Sequence, residues 1–153
     1  MTKHTKLSFI ACAFFGFGLL AKATPAQAAE SCHAIQASAA GQNHGDLTTD
    51  ATISDGGLLQ GTAHTEFTPT GMDGTYFYFT GTVAITAKKA TLVVAIEGSF
   101  NMTNGAFVAR STGMTGTGRL AGASGALELN GVQDGGGRFT ESLTGTICVD
   151  LAK

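Results

Sequence analysis

The stretch "TYFYFTGTVAITAKKATLVVAIEGSFNM", residues 75–102, changes character at every second position on both sides of Lys88 and Lys89. On its first arm Phe77, Phe79, Val83 and Ile85 fall on one side, and Tyr76, Tyr78, Thr80, Thr82 and Thr86 on the other. On its second arm Leu92, Val94, Ile96, Phe100 and Met102 share a side opposite Thr91, Glu97, Ser99 and Asn101. A period of two marks a strand, because successive side chains point to opposite faces of a sheet. The stretch therefore predicts two antiparallel strands joined at the lysines, each giving an apolar face to one core.

The same reading extends in both directions. Short runs of Thr, Val, Ile, Phe and Tyr bounded by Gly, Asn and Asp predict strands at 45–53, 58–68, 75–86, 90–102, 106–112, 116–121, 126–132 and 138–149. Turns are expected at Ser54 to Gly57, Pro69 to Gly74, Lys88-Lys89, Asn104-Gly105, Ala123 to Gly125 and Asp134 to Gly137. After the first 28 residues, no long window repeats apolar residues every three or four positions, so no helix is expected there. The fold class is all-β: a single eight-stranded antiparallel up-and-down barrel, with a two-sheet sandwich as the alternative. "TGTGRLAGASGALELNG", residues 115–131, holds five glycines and still carries Leu120, Leu127 and Leu129. In a small closed barrel such glycines mark bulges, corners and close backbone approach, here at Gly61, Gly81, Gly98, Gly118, Gly122, Gly131 and Gly145.

The chain begins with Lys3 and Lys6, an apolar run from Leu7 to Leu20, then Pro25 and Ala26-Gln27-Ala28. That is the pattern of a signal peptide cleaved after Ala28, so residues 1–28 are expected to be removed and 29–153 to form the domain. The apolar run is shorter than the roughly 20 residues that span a bilayer as a helix, so no membrane span is expected in the mature chain. Secretion or periplasmic export follows. Six basic residues then face eleven acids, a formal charge of −5 in place of the full chain's −2. Such a surface does not attract a phosphate backbone, so nucleic acid is not an expected partner. Cys12 leaves with the signal, and an exported pair, Cys32 and Cys148, is expected to form a disulfide.

The glycine-rich segment and its continuation, "GTGRLAGASGALELNG" and "DGGGRFTESLTGTI", resemble the C-terminal half of the allene oxide cyclase-like barrel group, to which dirigent proteins are also similar. Gly116, Thr117, Gly118, Leu120, Gly122, Ala123, Gly125, Gly131, Gly145 and Ile147 carry that resemblance. The chain also looks like small secreted bacterial proteins with a Cys-His-Ala-Ile start, a "GGLLQGTAHTEF" segment and a "GTICVDL" end. The resemblance implies an eight-stranded calycin-type barrel whose cavity can host cyclase or stereo-directing chemistry. It carries over no catalytic residue.

Glu141 is the leading candidate for chemistry, since it shares the apolar face of Phe139, Leu143, Ile147 and Val149. Inside a barrel its carboxyl would be desolvated and would act as a proton donor, a proton acceptor or a ligand anchor. At a barrel mouth it would be solvated or paired with an arginine. His64 and Glu66 lie two apart on a polar stripe with Gln60, Thr62 and Thr68, which suits either a His-carboxylate pair or a solvated sheet face. His33 and His44 add no metal-ligand spacing, and no metal or other cofactor is expected. No nucleophile elbow, P-loop or dinucleotide loop is present: the glycine runs sit between strands instead of opening a helix.

Three functions fit this pattern. The first is a barrel binding a small apolar or amphipathic molecule in its lumen, lined by Phe77, Phe79, Ile96, Phe100, Phe139 and Glu141. The second is a cofactor-free cyclase or isomerase using the same cavity. The third is a structural or interaction protein with a filled barrel, whose outer face of Tyr76, Tyr78, Thr80 and Thr82 meets a partner or further copies of itself.

Overall fold

The computed structural model describes Ser31 to Asp150, and residues 1–28, read above as a signal peptide, lie outside these residues. Eight strands follow one another: β1 (Ser31–Asn43), β2 (Thr48–Ser54), β3 (Gly61–Asp73), β4 (Tyr76–Ala87), β5 (Ala90–Asn101), β6 (Ala106–Gly116), β7 (Ser124–Gln133) and β8 (Arg138–Val149). Each pairs antiparallel with its neighbours in sequence, and β1 pairs with β8, so the sheet closes into a barrel. Closure leaves no unpaired sheet edge, and it rules out the two-sheet alternative.

The alternation of the opening stretch translates directly into inside and outside. Phe79, Val83 and Ile85 on β4 and Leu92, Val94 and Ile96 on β5 are buried in the lumen, while Tyr76 and Tyr78 are exposed outside. The hairpin turns at Lys88 and Lys89, with Lys89 at a positive φ of 61°. Met102, assigned to the apolar face by its parity, lies beyond the end of β5 and is exposed.

Two strand assignments differ from the sequence reading. Ser31–Asn43 is a thirteen-residue strand that propensity does not announce, since Ala, Ser, Gln and Gly dominate it. It is held by register: twelve consecutive residues of β1 pair with β8, from Ser31 with Val149 to Gln42 with Arg138. Conversely, residues 116–121 are not a strand. β6 runs on to Gly116, and Gly118–Leu120 then makes a single 3-10 turn in which Gly118 adopts φ 59°. Its counterpart, Gly57–Leu59, replaces the predicted start of β3. The turn expected at Pro69 to Gly74 is also shorter, because β3 continues to Asp73 through a register shift between Pro69 and Gly71. A bulge there accommodates a proline that cannot donate to the ladder.

The two ends of the barrel differ. At one end Leu59 and Leu120, one from each 3-10 turn, are fully buried together with Ile85, Leu92, Ile147 and Val149. Arg119 donates a 3.1 Å hydrogen bond to the Leu58 carbonyl and so ties one turn to the other. Cys32 and Cys148 are directly paired in register at this end and form the disulfide, with Cα atoms 3.9 Å apart. The filled lumen thus lies at the disulfide end, and the opposite end holds a cavity.

Candidate functional site

The cavity has a volume of about 220 Å³ and reaches the mouth formed by the β1–β2 loop and the start of β8. Phe77, Phe79, Ile96, Phe100, Phe139 and Glu141 all contribute to its wall, as do Phe67 and Phe107, which the sequence reading did not assign to a site. Thr49 and Thr65 are its buried hydroxyl-bearing side chains. At the rim, Asn43 donates a 3.0 Å hydrogen bond to the Gln133 side-chain oxygen.

Space for these rings comes from glycine. Phe67 pairs with Gly81, Phe79 with Gly98, Phe107 with Gly131 and Phe139 with Gly41, each directly across the sheet. At Gly98 an added Cβ would lie 2.8 Å from the Phe79 ring, and at Gly41 it would lie 2.5 Å from the Phe139 ring. The aromatic rings cover bare backbone on the neighbouring strand, which is how a tightly curved sheet packs large side chains inward. Phe67 meets Phe79 edge-on at 5.0 Å, and Phe107 meets Phe139 edge-on at 6.0 Å.

Glu141 lies on β8, paired with Ala39 of β1 and Gly131 of β7. Neither neighbour has a side chain that reaches its carboxyl. Arg138, the arginine closest in sequence, is engaged instead with Asp134 at 3.0 Å. Burial in this apolar setting pushes the Glu141 carboxyl up to about 7 from an ordinary value of 4.5. The sole cause is desolvation, which disfavours the charged form. Of the two placements weighed for this residue, the structure shows the lumen wall and no arginine pair.

His64 and Glu66 are brought to a different place. Both are exposed on the outer face of β3, and their closest approach is a long 3.9 Å. The partner of His64 is Asp50, whose Oδ1 lies 2.7 Å from Nδ1, while Asp50 Oδ2 lies 2.9 Å from His44 Nε2. The hydrogen bond that His64 donates to Asp50 raises the His64 pKa, and the two histidines lower that of Asp50. Asp50 escapes a strand-by-strand reading because its link to His64 exists only through the β2–β3 register. Neither histidine lines the cavity. Among the described residues, no three His, Cys, Asp or Glu side chains are grouped to hold a metal ion.

The outer face of β4 to β7 forms a broad, open groove between Tyr78, Val108, Arg110 and Asn130, crossed by the Arg110–Glu97 ion pair at 2.5 Å. It is wider and more open than the lumen cavity. Fold and site together define a closed eight-stranded antiparallel barrel, filled and bridged at one end and hollow at the other. No protein family model, curated protein or solved structure matches the chain.

Proposed function

We propose that the protein is exported and binds a small apolar or amphipathic molecule in the open end of its barrel. The observation that carries this reading is the cavity itself: an aromatic pocket with one carboxyl on its wall, in a barrel otherwise filled with side chains. Ligand pockets combine this apolar lining with a few placed polar groups. An apolar cavity of roughly 150 Å³ holds benzene, so about 220 Å³ suits one ring with a short arm. The apolar run and Ala26-Gln27-Ala28 of the leader support export, and the disulfide is in keeping with an oxidising compartment. The resemblance to allene oxide cyclase-like barrels supports a lumen that receives small molecules.

A titration with a monocyclic aromatic solute, followed by methyl NMR, tests this reading. Shifts are expected at Val83, Ile96 and Leu129 on the cavity wall, with Ile85 and Ile147 at the filled end unchanged. Shifts spread over the outer face, or none, would refute it.

One observation favours a second reading, a cofactor-free isomerase or cyclase. A carboxyl pushed by burial up to about 7 is poised to exchange a proton near neutral pH. In that case Glu141→Gln would abolish turnover while leaving ligand affinity within a few-fold.

A further inference from the structure

We propose that the lumen selects small amphipathic amines, with the ammonium group held at Glu141 and a ring or short chain among the phenylalanines. This rests on the lumen-binding reading and narrows it to one ligand chemistry.

Among the described residues, Glu141 is the one ionisable side chain on the cavity wall, and no Lys, Arg or His lines it. The elements packed around it present Ala39 from β1, Gly131 from β7 and Phe107 from β6, none of which titrates. Its carboxyl makes no hydrogen bond or ion pair among the described residues, and it borders the cavity. An ammonium supplies the missing countercharge and donates to both carboxylate oxygens. Where Glu141 is ionised, a neutral ligand would leave its charge uncompensated, and an anion would oppose it.

The aromatic wall points the same way. Phe139 is two positions from Glu141 on the same face, and the Phe107 ring lies over Gly131, the residue paired with Glu141. Phenyl faces carry negative potential, so a cation beside these rings gains a further attraction, greatest where water is excluded.

Charge is also distributed along the barrel axis. The mouth carries Asp46, Asp73 and Asp134, and its arginine, Arg138, is held by Asp134. Lys88, Lys89 and Arg119 all sit at the disulfide end, beside Asp55 and Asp150. An acidic rim raises the local concentration of cations at the entrance.

The test is calorimetric titration of the oxidised protein at about pH 8 with phenethylamine, its neutral analogue phenethyl alcohol and its anionic analogue hydrocinnamate. The amine is expected to bind at least about tenfold more tightly than the alcohol, with the anion weakest. In Glu141→Gln the amine should lose that advantage while the alcohol keeps its affinity. Wild-type protein at about pH 5, where Glu141 is protonated in the free lumen, provides the same comparison without a substitution. There the amine should weaken by about tenfold or more, because its binding must expel the proton. An alcohol that binds as tightly as the amine, or an amine indifferent to both changes, would overturn the amine selection and leave the lumen reading standing. Binding of none of the three would overturn both.

Discussion

Glu141 stands where a barrel interior would ordinarily carry a leucine, and its effect on stability has a definite sign. An unfolded glutamate gives up its proton near 4.5, whereas the folded one keeps it to about 7. Between those values the folded state holds more protons, so stability falls as the pH rises, by at most about 3 kcal/mol, and this component is flat above 7. Glu141→Gln should remove that slope, seen as a variant-minus-wild-type difference in melting temperature that grows from pH 4.5 to 7. A difference that stays constant would show that the carboxyl is hydrated. The subtraction is needed because His64, raised by Asp50, also loses stabilisation with rising pH, whereas Asp46, Asp50 and Asp134 lose theirs on acidification. The glycines under the rings are equally specific. A methyl group on Gly131 would press on the Phe107 ring and lie 2.6 Å from the Thr140 carbonyl oxygen. Gly131→Ala should therefore destabilise the barrel by about 1–3 kcal/mol in denaturant unfolding.

Among the elements, the β1–β8 pairing closes the sheet and the two 3-10 turns fill one end of the barrel. Leu59 and Leu120 each fill the core from a turn, and truncating either to alanine should cost about 2–5 kcal/mol, measured by chemical denaturation. The bridge between Cys32 and Cys148 spans 116 positions, so the chain-entropy estimate gives it up to about 4–5 kcal/mol. Replacing both cysteines with serine should lower the melting temperature without altering ligand affinity, since the lumen lies at the far end. Strands β4, β5 and β8 were legible in the sequence because Phe, Val, Leu and Ile recur at every second position. β1 was not, because it offers the core mainly Ile35, Ala37 and Ala39 and owes its place to long-range pairing. The segment 116–121 misled in the opposite direction: Leu120 has a strand-like neighbourhood, but its burial comes from a turn. Counting one strand too few at the start and one too many here still totals eight, so the number agreed while two locations did not. Within the candidate site, parity identified six wall residues; Phe67 shares the parity of buried Ala63 and Phe107 that of buried Ala109, whereas the Asp50–His64 contact depends on a register that no single strand contains.

At the scale of the whole molecule, the barrel is polarised. One end is packed with aliphatic side chains, clasped by Arg119 and bridged by a disulfide; the other holds the aromatic cavity beneath an acidic rim. The cavity and the β1–β8 bridge are thereby separated along a single axis. The decisive measurement is native mass spectrometry of the oxidised protein purified from an exporting host, compared with its denatured spectrum. The expected result is a stoichiometric small-molecule adduct that disappears on denaturation, leaving a chain whose mass fits an intact disulfide. A native spectrum showing only the bare mass of the polypeptide would contradict the assignment of the lumen as a ligand site.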